Sequence, residues 1–151
     1  MKALTDLSAL DTAAAGEEGA TLHVKHPVNG EPMHVVPPGG DKPVPLTVTV
    51  LGSDSPTWRA KVADSNRRRL REMNQGGRRN FTVNPEAIER DALELLAACT
   101  VAWTGVVLEG KALPCTPENA ETVYRRLPWL REQADEFANN RENFAGESGR
   151  N

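Results

Sequence analysis

The sequence predicts an α+β fold: a small antiparallel N-terminal sheet of about three strands, packed with a mainly helical C-terminal part of about four helices. Three observations lead there. Residues 21–51 alternate apolar and polar side chains around an Asn-Gly turn, the pattern of half-buried strands joined by a hairpin. Beyond residue 53 the spacing becomes helical, with starts at Ser55-Pro56, Asn84-Pro85 and Thr116-Pro117; a polar cap followed by proline opens a helix. A chain of 151 residues is long enough for one domain with a real core. The expected organisation is a flexible segment over 1–20, a sheet over 21–52, a helical region over 53–144 and a disordered tail over 145–151.

The elements follow in order. Leu4, Leu7 and Leu10 recur every third residue, which suits a short helix. Residues 13–19, Ala-Ala-Ala-Gly-Glu-Glu-Gly, read as a mobile linker. The run from Thr21 to His26 alternates, with Leu22 and Val24 on one face. Asn29-Gly30 supplies the hairpin turn, and Met33-His-Val-Val36 is the returning strand. Residues 37–43 hold too many prolines and glycines to be anything but a loop. In the next strand, over 45–51, Leu46, Val48 and Val50 share a face. A hairpin alone is marginal in water, so a helix must cover this face.

The helix from Ser55-Pro56 is expected to run to about Asn74, before Gly76-Gly77. Its apolar stripe is thin: Trp58, Val62, Leu70 and Met73, interrupted at Asn66. Arg59, Lys61, Arg67, Arg68, Arg69 and Arg71 occupy the other faces. The helix from Asn84-Pro85 carries the strongest repeat, Ile88, Ala92, Leu95, Leu96, Cys99, Ala102 and Trp103, and is expected to end at Gly105. Glu86, Glu89, Asp91 and Glu94 crowd its first turns, where they complement the helix dipole. Residues 106–113, around Glu109-Gly-Lys111, form a second small hairpin or an irregular turn. The helix from Thr116-Pro117 buries Ala120, Val123, Tyr124 and Leu127, and Pro128 breaks it. The last helix presents Leu130, Ala134, Phe137 and Ala138, with Phe144 docking after it.

Composition narrows the function. Apolar residues make up 38% and aromatics 5%, which implies a modest core. A net charge of −3 does not suit a bulk nucleic-acid binder. No apolar run approaches the roughly 20 residues that span a bilayer. Asp6 and Asp11 interrupt any signal-peptide core, so the expected location is the cytoplasm. Cys99 and Cys115 form neither a CxxC pair nor a metal spacing and read as reduced structural thiols.

No constellation for chemistry emerges, and neither enzymatic activity nor a cofactor or metal is expected. His23 and His26 have opposite parity on a strand and point to opposite faces; zinc needs three or four convergent ligands. Ser53 and Ser55 are better explained by helix capping than as nucleophiles, since no Gly-x-Ser-x-Gly turn surrounds them. The pairs Glu17-Glu18 and Asp135-Glu136 lie in a linker and on a solvated helix face. Gly39-Gly40 and Gly76-Gly77 lack the Lys-Ser/Thr of a phosphate loop.

What remains is contact with other proteins. The basic cluster Arg67-Arg-Arg-Leu-Arg71, with Arg78 and Arg79 beyond it, is a solvated face paired with the acidic turns of the next helix, a contact for an acidic protein partner, or a nucleic-acid contact. No aromatic is interleaved for base stacking, which weakens the last reading. Trp58, Trp103 and Trp129 each begin or end a helix, where tryptophan anchors a core or meets a partner. Trp129, directly after Pro128, is the leading contact residue among them. The candidate partner-binding set is Trp58, Arg67, Arg68, Arg71, Trp103, Tyr124, Trp129 and Phe137.

The chain also carries an ordered series of short motifs: Trp103-Thr-Gly105, Glu109-Gly-Lys-Ala-Leu-Pro114, Thr116-Pro-Glu-Asn119, Pro128-Trp-Leu-Arg-Glu-Gln133 and Asn143-Phe144. Earlier stand Asp6-Leu-Ser-Ala-Leu-Asp11, His26-Pro-Val-Asn-Gly-Glu-Pro32 and Val50-Leu-Gly-Ser-Asp-Ser55. In order and wording this series resembles the tail assembly chaperones of long-tailed bacteriophages, over most of the chain. The Pro- and Gly-rich stretch 37–45 and the arginine run depart from the family pattern. The resemblance implies a holdase without cofactor or nucleotide. Such a protein keeps the long helical tape measure protein soluble, helps tail tube protein polymerise around it, works in the host cytoplasm and is absent from the finished particle. A chain ending at Asn151 resembles the short form of the family, and self-association into small oligomers or a spiral is expected. Thin apolar stripes with charged flanks suit many weak contacts summed along a filament. The alternatives are a structural tail or neck component that stays in the virion, and a small nucleic-acid-binding regulator using the Arg67-Arg71 helix.

Overall fold

The computed structural model describes residues 3–75 and 84–145. The expected helix stop at Gly76-Gly77, the pair Arg78 and Arg79, and the tail beyond Ala145 lie outside the described residues. The architecture is α+β, as predicted. A 3-10 turn, Leu7–Leu10, leads into α1 (Thr12–Glu18) and β1 (Ala20–His23). Then come β2 (His34–Val35), β3 (Val44–Pro45), β4 (Thr47–Val50), α2 (Pro56–Gln75) and α3 (Pro85–Ala98). The chain closes with β5 (Thr100–Thr104), β6 (Val107–Leu108), β7 (Lys111–Ala112), α4 (Pro117–Arg126), α5 (Pro128–Asn139) and a 3-10 turn, Arg141–Phe144.

The main sheet is antiparallel, in the order β1-β4-β5. Its third strand is not the one expected. Met33-Val36 pairs instead with β3 in a separate two-stranded ribbon, tied to the main sheet through Met33 N–H donating to Val24 O at 2.9 Å. The sheet is completed by Thr100–Thr104, which the sequence pattern places at the end of a helix. Leu22, Val48 and Trp103 are register partners on one face; Thr21, Thr49 and Ala102 are partners on the other. The central strand alternates as its sequence predicts, with Val48 and Val50 fully buried. The turn at Asn29-Gly30 is present, closed by His26 N–H to Glu31 O at 2.8 Å and by a Lys25–Pro32 bridge. Residues 106–113 resolve into the hairpin of the two alternatives, its turn built on Glu109 (φ 50°) and Gly110 (φ 79°). Glycine takes this left-handed geometry without strain.

The expected linker over 13–19 is a docked helix. Asp11 caps α1 by accepting from Ala14 N–H at 3.0 Å. Gly52 N–H donates to Gly16 O at 3.0 Å, and a Cβ on Gly52 would stand 3.1 Å from Gly16 Cα and 3.2 Å from the Phe144 ring. Only glycine permits that approach. Thr12 donates to Asp54 at 2.7 Å, and Arg141 grips the same carboxylate at 2.7 and 3.1 Å. These bonds tie the N-terminal helix to the end of the helical region.

The three proline-led starts are all real. Trp58 N–H donates to Ser55 Oγ at 3.2 Å, Glu86 N–H to Asn84 at 2.9 Å, and Asn119 N–H to Thr116 Oγ1 at 3.1 Å. The stripes of α4 and α5 are buried as predicted: Ala120, Val123, Tyr124, Leu130, Ala134 and Ala138. On α3 the expected stripe is displaced. Its fully buried apolar residues are Leu93, Leu96 and Ala97, facing the core. Ile88, Ala92 and Leu95 turn about a third of a circle away, toward α2, and line the crevice between the two helices. At the C-terminus of α3, Thr100 Oγ1 donates to Leu96 O at 2.8 Å. Its single proton is thereby used, so Tyr124, 1% exposed, donates its own hydroxyl to Thr100 Oγ1 at 2.7 Å.

Two outcomes are expected. Tyr124→Phe loses one buried hydrogen bond and costs about 1 kcal/mol, whereas Thr100→Val strands the tyrosine hydroxyl and costs about 2 kcal/mol. Urea unfolding of both and of the double variant checks this; equal costs with full additivity would contradict the pairing. Separately, Arg141 first and Thr12 second hold the Asp54 carboxyl down at about 2, below its ordinary 3.8. That contribution is complete above 3.8 and is lost as pH falls from 3.8 through about 2. It amounts to about 1 kcal/mol once the exposure of Arg141 is discounted. Asp54→Asn should flatten stability over that acid window in urea titrations.

Candidate interaction surface

Helix α2 runs for 20 residues but buries only Trp58. It is held to α3 by charge rather than by a broad apolar face. Asp91 of α3 is 4% exposed and gathers three guanidinium groups. Arg68 donates to Asp91 Oδ1 and reaches Glu94 at 3.3 Å. Arg90 donates to Oδ1 at 3.2 Å, and Arg69 Nε stands 3.7 Å from Oδ2. Among the described residues, Arg68 Nε and Asp91 Oδ2 are the buried side-chain atoms without a hydrogen-bond partner. A carboxylate taken from water needs such partners to remain charged.

The predicted contact residues do not form one patch. Trp58 and Tyr124 are buried in the core; of the two, Tyr124 reaches the wall of a surface groove. Trp103 is half-buried on β5, its indole N–H donating to Leu113 O at 2.8 Å. Arg68 is spent on Asp91 and Glu94. Arg67 pairs with Asp64 on its own exposed turn. Trp129 is half-buried against the core. Phe137 is also half-buried; it packs edge-on to Phe144 at 6.1 Å and lines a cleft beside Leu22, Lys25 and Gln133. Arg71 is exposed on α2 and, with half-buried Lys61, lines a second cleft between α2 and α3 beside Glu94 and Ala98.

A different face brings apolar and charged groups together. Helices α3, α4 and α5 enclose a groove of about 440 Å³. Leu93 and Tyr124 line it with Pro128, and Arg90, Arg125, Arg131, Glu86 and Glu89 add both signs of charge. Arg131 is bonded to Glu89 across it. Sequence spacing hides this groove because its charged residues belong to three helices, each of which alone shows an ordinary solvated face. The legible signal is local: Arg125, Pro128 and Arg131 recur every third residue across the break between two helices.

His23 and His26 are each bonded to the backbone. His23 shares a 2.8 Å hydrogen bond with Met33 O and stacks edge-on against His34 at 5.2 Å. His26 Nδ1 accepts from Val28 N–H at 3.1 Å inside the turn. Burial raises both thiols, Cys99 to about 11. Among the described residues no helix is long and apolar enough to cross a membrane.

A family model described as YdaY prophage protein matches residues 57–150. No curated protein matches the chain, and no solved structure matches it. The matched stretch contains the whole α3–α4–α5 groove and the arginine helix.

Asp91→Asn should weaken the attachment of α2. The loss is about 2 kcal/mol, below the value for a fully buried pair because Arg68 is partly exposed. Hydrogen exchange checks it: amides of α2 should lose protection while those of α4 and α5 keep theirs. Unchanged protection in α2 would show that the carboxylate does not anchor the helix.

Proposed function

The chain belongs to the YdaY prophage protein family and is phage-derived, and from that premise we propose that it is a tail assembly chaperone. In this reading it acts in the host cytoplasm without catalysis or cofactor, holds the helical tape measure protein soluble, and hands it to tail tube protein. The observation that carries the reading is the α3–α4–α5 groove, with Leu93 and Tyr124 among apolar groups and arginines and glutamates around them. An amphipathic helix docks by laying its apolar face in a groove while its flanking charges meet the rim. Both signs at the rim suit a client with mixed charge, and partial exposure keeps each contact weak enough to release. Repetition along a filament supplies the strength. The ordered motifs that resemble tail assembly chaperones support the same conclusion, and four of the five C-terminal ones fall on β6–β7, α4, α5 and the closing 3-10 turn.

The test is co-expression with the tape measure protein of the same prophage, followed by pull-down and size exclusion with light scattering. A soluble complex is expected, with the tape measure protein aggregating when expressed alone. Arg125→Glu reverses an exposed charge at the groove and should weaken capture by about tenfold, while loss of its pair with Glu121 lowers stability by only about 0.5 kcal/mol. No complex, together with the protein present in purified particles, would replace this reading with a structural virion component. Strongly salt-dependent DNA binding would replace it with a nucleic-acid regulator.

A further inference from the structure

We propose that the outer edge of β1 and the groove between it and α5 bind an extended segment of a partner polypeptide, which adds to the main sheet as a further strand. β1 is an outer strand of that sheet, whose order is β1-β4-β5. Val24 N–H donates to Leu46 O and Val24 O accepts from Met33 N–H, both at 2.9 Å, so the backbone of Val24 faces the sheet. Successive residues of a strand turn their backbone groups to opposite sides. Leu22 therefore faces β4, where Val48 is its register partner, while Thr21, His23 and Lys25 turn N–H and C=O outward. At Lys25 these groups are taken. Lys25 N–H donates to Gln133 Oε1 at 2.9 Å, and Gln133 Nε2 donates to Lys25 O at 2.7 Å. A side-chain amide offers the same donor and acceptor as a peptide group, so Gln133 stands where a neighbouring strand would. Among the described residues no strand pairs with Thr21 and His23 on that side.

A groove of about 450 Å³ lies beside this edge, with Leu22 and Lys25 on the strand side and Gln133 and Phe137 on the α5 side. Lys25 and Glu136 give it one charge of each sign, so charge does not decide what binds. The backbone does. Thr21 and His23 repeat a donor and an acceptor roughly 7 Å apart, the two-residue repeat of an extended chain. A helix keeps its own backbone groups bonded internally and cannot answer them. Half-buried Leu22 and Phe137 meet the side chains that the added strand turns toward α5, which selects apolar residues there. Its alternate side chains join the face that carries Thr21 and Thr49, where polar residues fit. The devices that blunt an unwanted edge are missing. Ala20–His23 holds no proline, lysine or acidic residue, and it pairs with β4 without a bulge. This inference does not depend on the chaperone reading, because it uses neither the client nor the α3–α4–α5 groove.

Amide hydrogen exchange in the isotope-labelled full chain should be slow at Leu22, Val24 and Lys25 and fast at Thr21 and His23. The binding probe is a displayed library of random nonapeptides selected on the full chain. Enriched peptides are expected to alternate apolar and polar residues and to slow exchange at Thr21 and His23 when bound. N-methylation of the alternate amides that face β1 should weaken binding about tenfold or more, the loss of at least one backbone hydrogen bond, while methylation of the other set should not. Thr21→Pro removes an outward donor where an edge strand tolerates proline and should weaken binding as much; the methylated peptides test the contact without altering the protein. A library that enriches nothing would overturn the proposal. So would peptides that leave exchange at Thr21 and His23 unchanged, or that respond equally to methylation of either set. Slow exchange at Thr21 and His23 in the free chain would also overturn it, whether the cover is a second copy, revealed by dependence on concentration, or residues 146–151, revealed by their deletion.

Discussion

The arrangement hinges on the point where α3 stops and β5 begins. Thr100 spends its proton on Leu96 O and receives the Tyr124 hydroxyl. One side chain thereby closes a helix, opens a strand and fastens a second helix to both. Leu51 N–H donates to Cys99 O at 2.9 Å, and Cys115 Sγ donates to Thr100 O at 3.6 Å. The backbone at the switch is thus held from the strand side and from the α4 side together. The two Thr100 hydroxyl bonds are buried, where an unmatched polar group costs far more than it does in water. Neither the β4–β5 register nor the α3–α4 packing is free to shift without breaking one of these bonds.

The contrast with α2 is instructive. Where α3, α4 and α5 meet, Ala120, Val123, Ala134 and Ala138 bring backbones close, and apolar packing does the holding. Where α2 meets α3, a single carboxylate holds three arginines, and the apolar residues on either side remain partly exposed. A contact resting on buried charge is specific in register but contributes little net stability. The sheet-plus-three-helix body is therefore the rigid part. The outer half of α2 is the part whose opening is least costly.

The legible and illegible parts of the sequence divide along the same line. Helix starts were legible because Ser55, Asn84 and Thr116 each precede a proline, and a cap is a local event. The central strand was legible because Leu46, Val48 and Val50 alternate. The switch at Thr100 was not. Leu95, Leu96, Cys99, Ala102 and Trp103 keep helical spacing by coincidence, and no glycine or proline marks the change. The true signal was the β-branched pair Thr100-Val101, which favours extended backbone but outweighs the periodicity only because β4 waits beside it. The stretch 13–19 reads as linker because what holds α1, Gly52, Asp54 and Thr57, lies some forty residues away. Groups that meet from separate helices are hidden for the same reason. The helical spacing of Trp58 and Tyr124 marks them as apolar anchors, and both are buried, but chain order does not place Arg125 and Arg131 around Leu93.

The extent of the family match adds a structural consequence. Residues 57–150 include α2 to α5 but only β5 of the three strands in the main sheet. Within that stretch β5 lacks β4, so its inward backbone groups and the face bearing Leu96 and Ala97 would lie open. A bare strand edge over an uncovered apolar layer invites pairing with another chain. The preceding residues supply the cover: β1 and β4 complete the sheet, and α1 ties Gly52 and Asp54 to the closing turn at Arg141 and Phe144. The N-terminal third is therefore the frame on which the family's helical part is mounted. The α3–α4–α5 groove lies on the helices, away from that seam, so the frame fixes the groove's shape without occupying it.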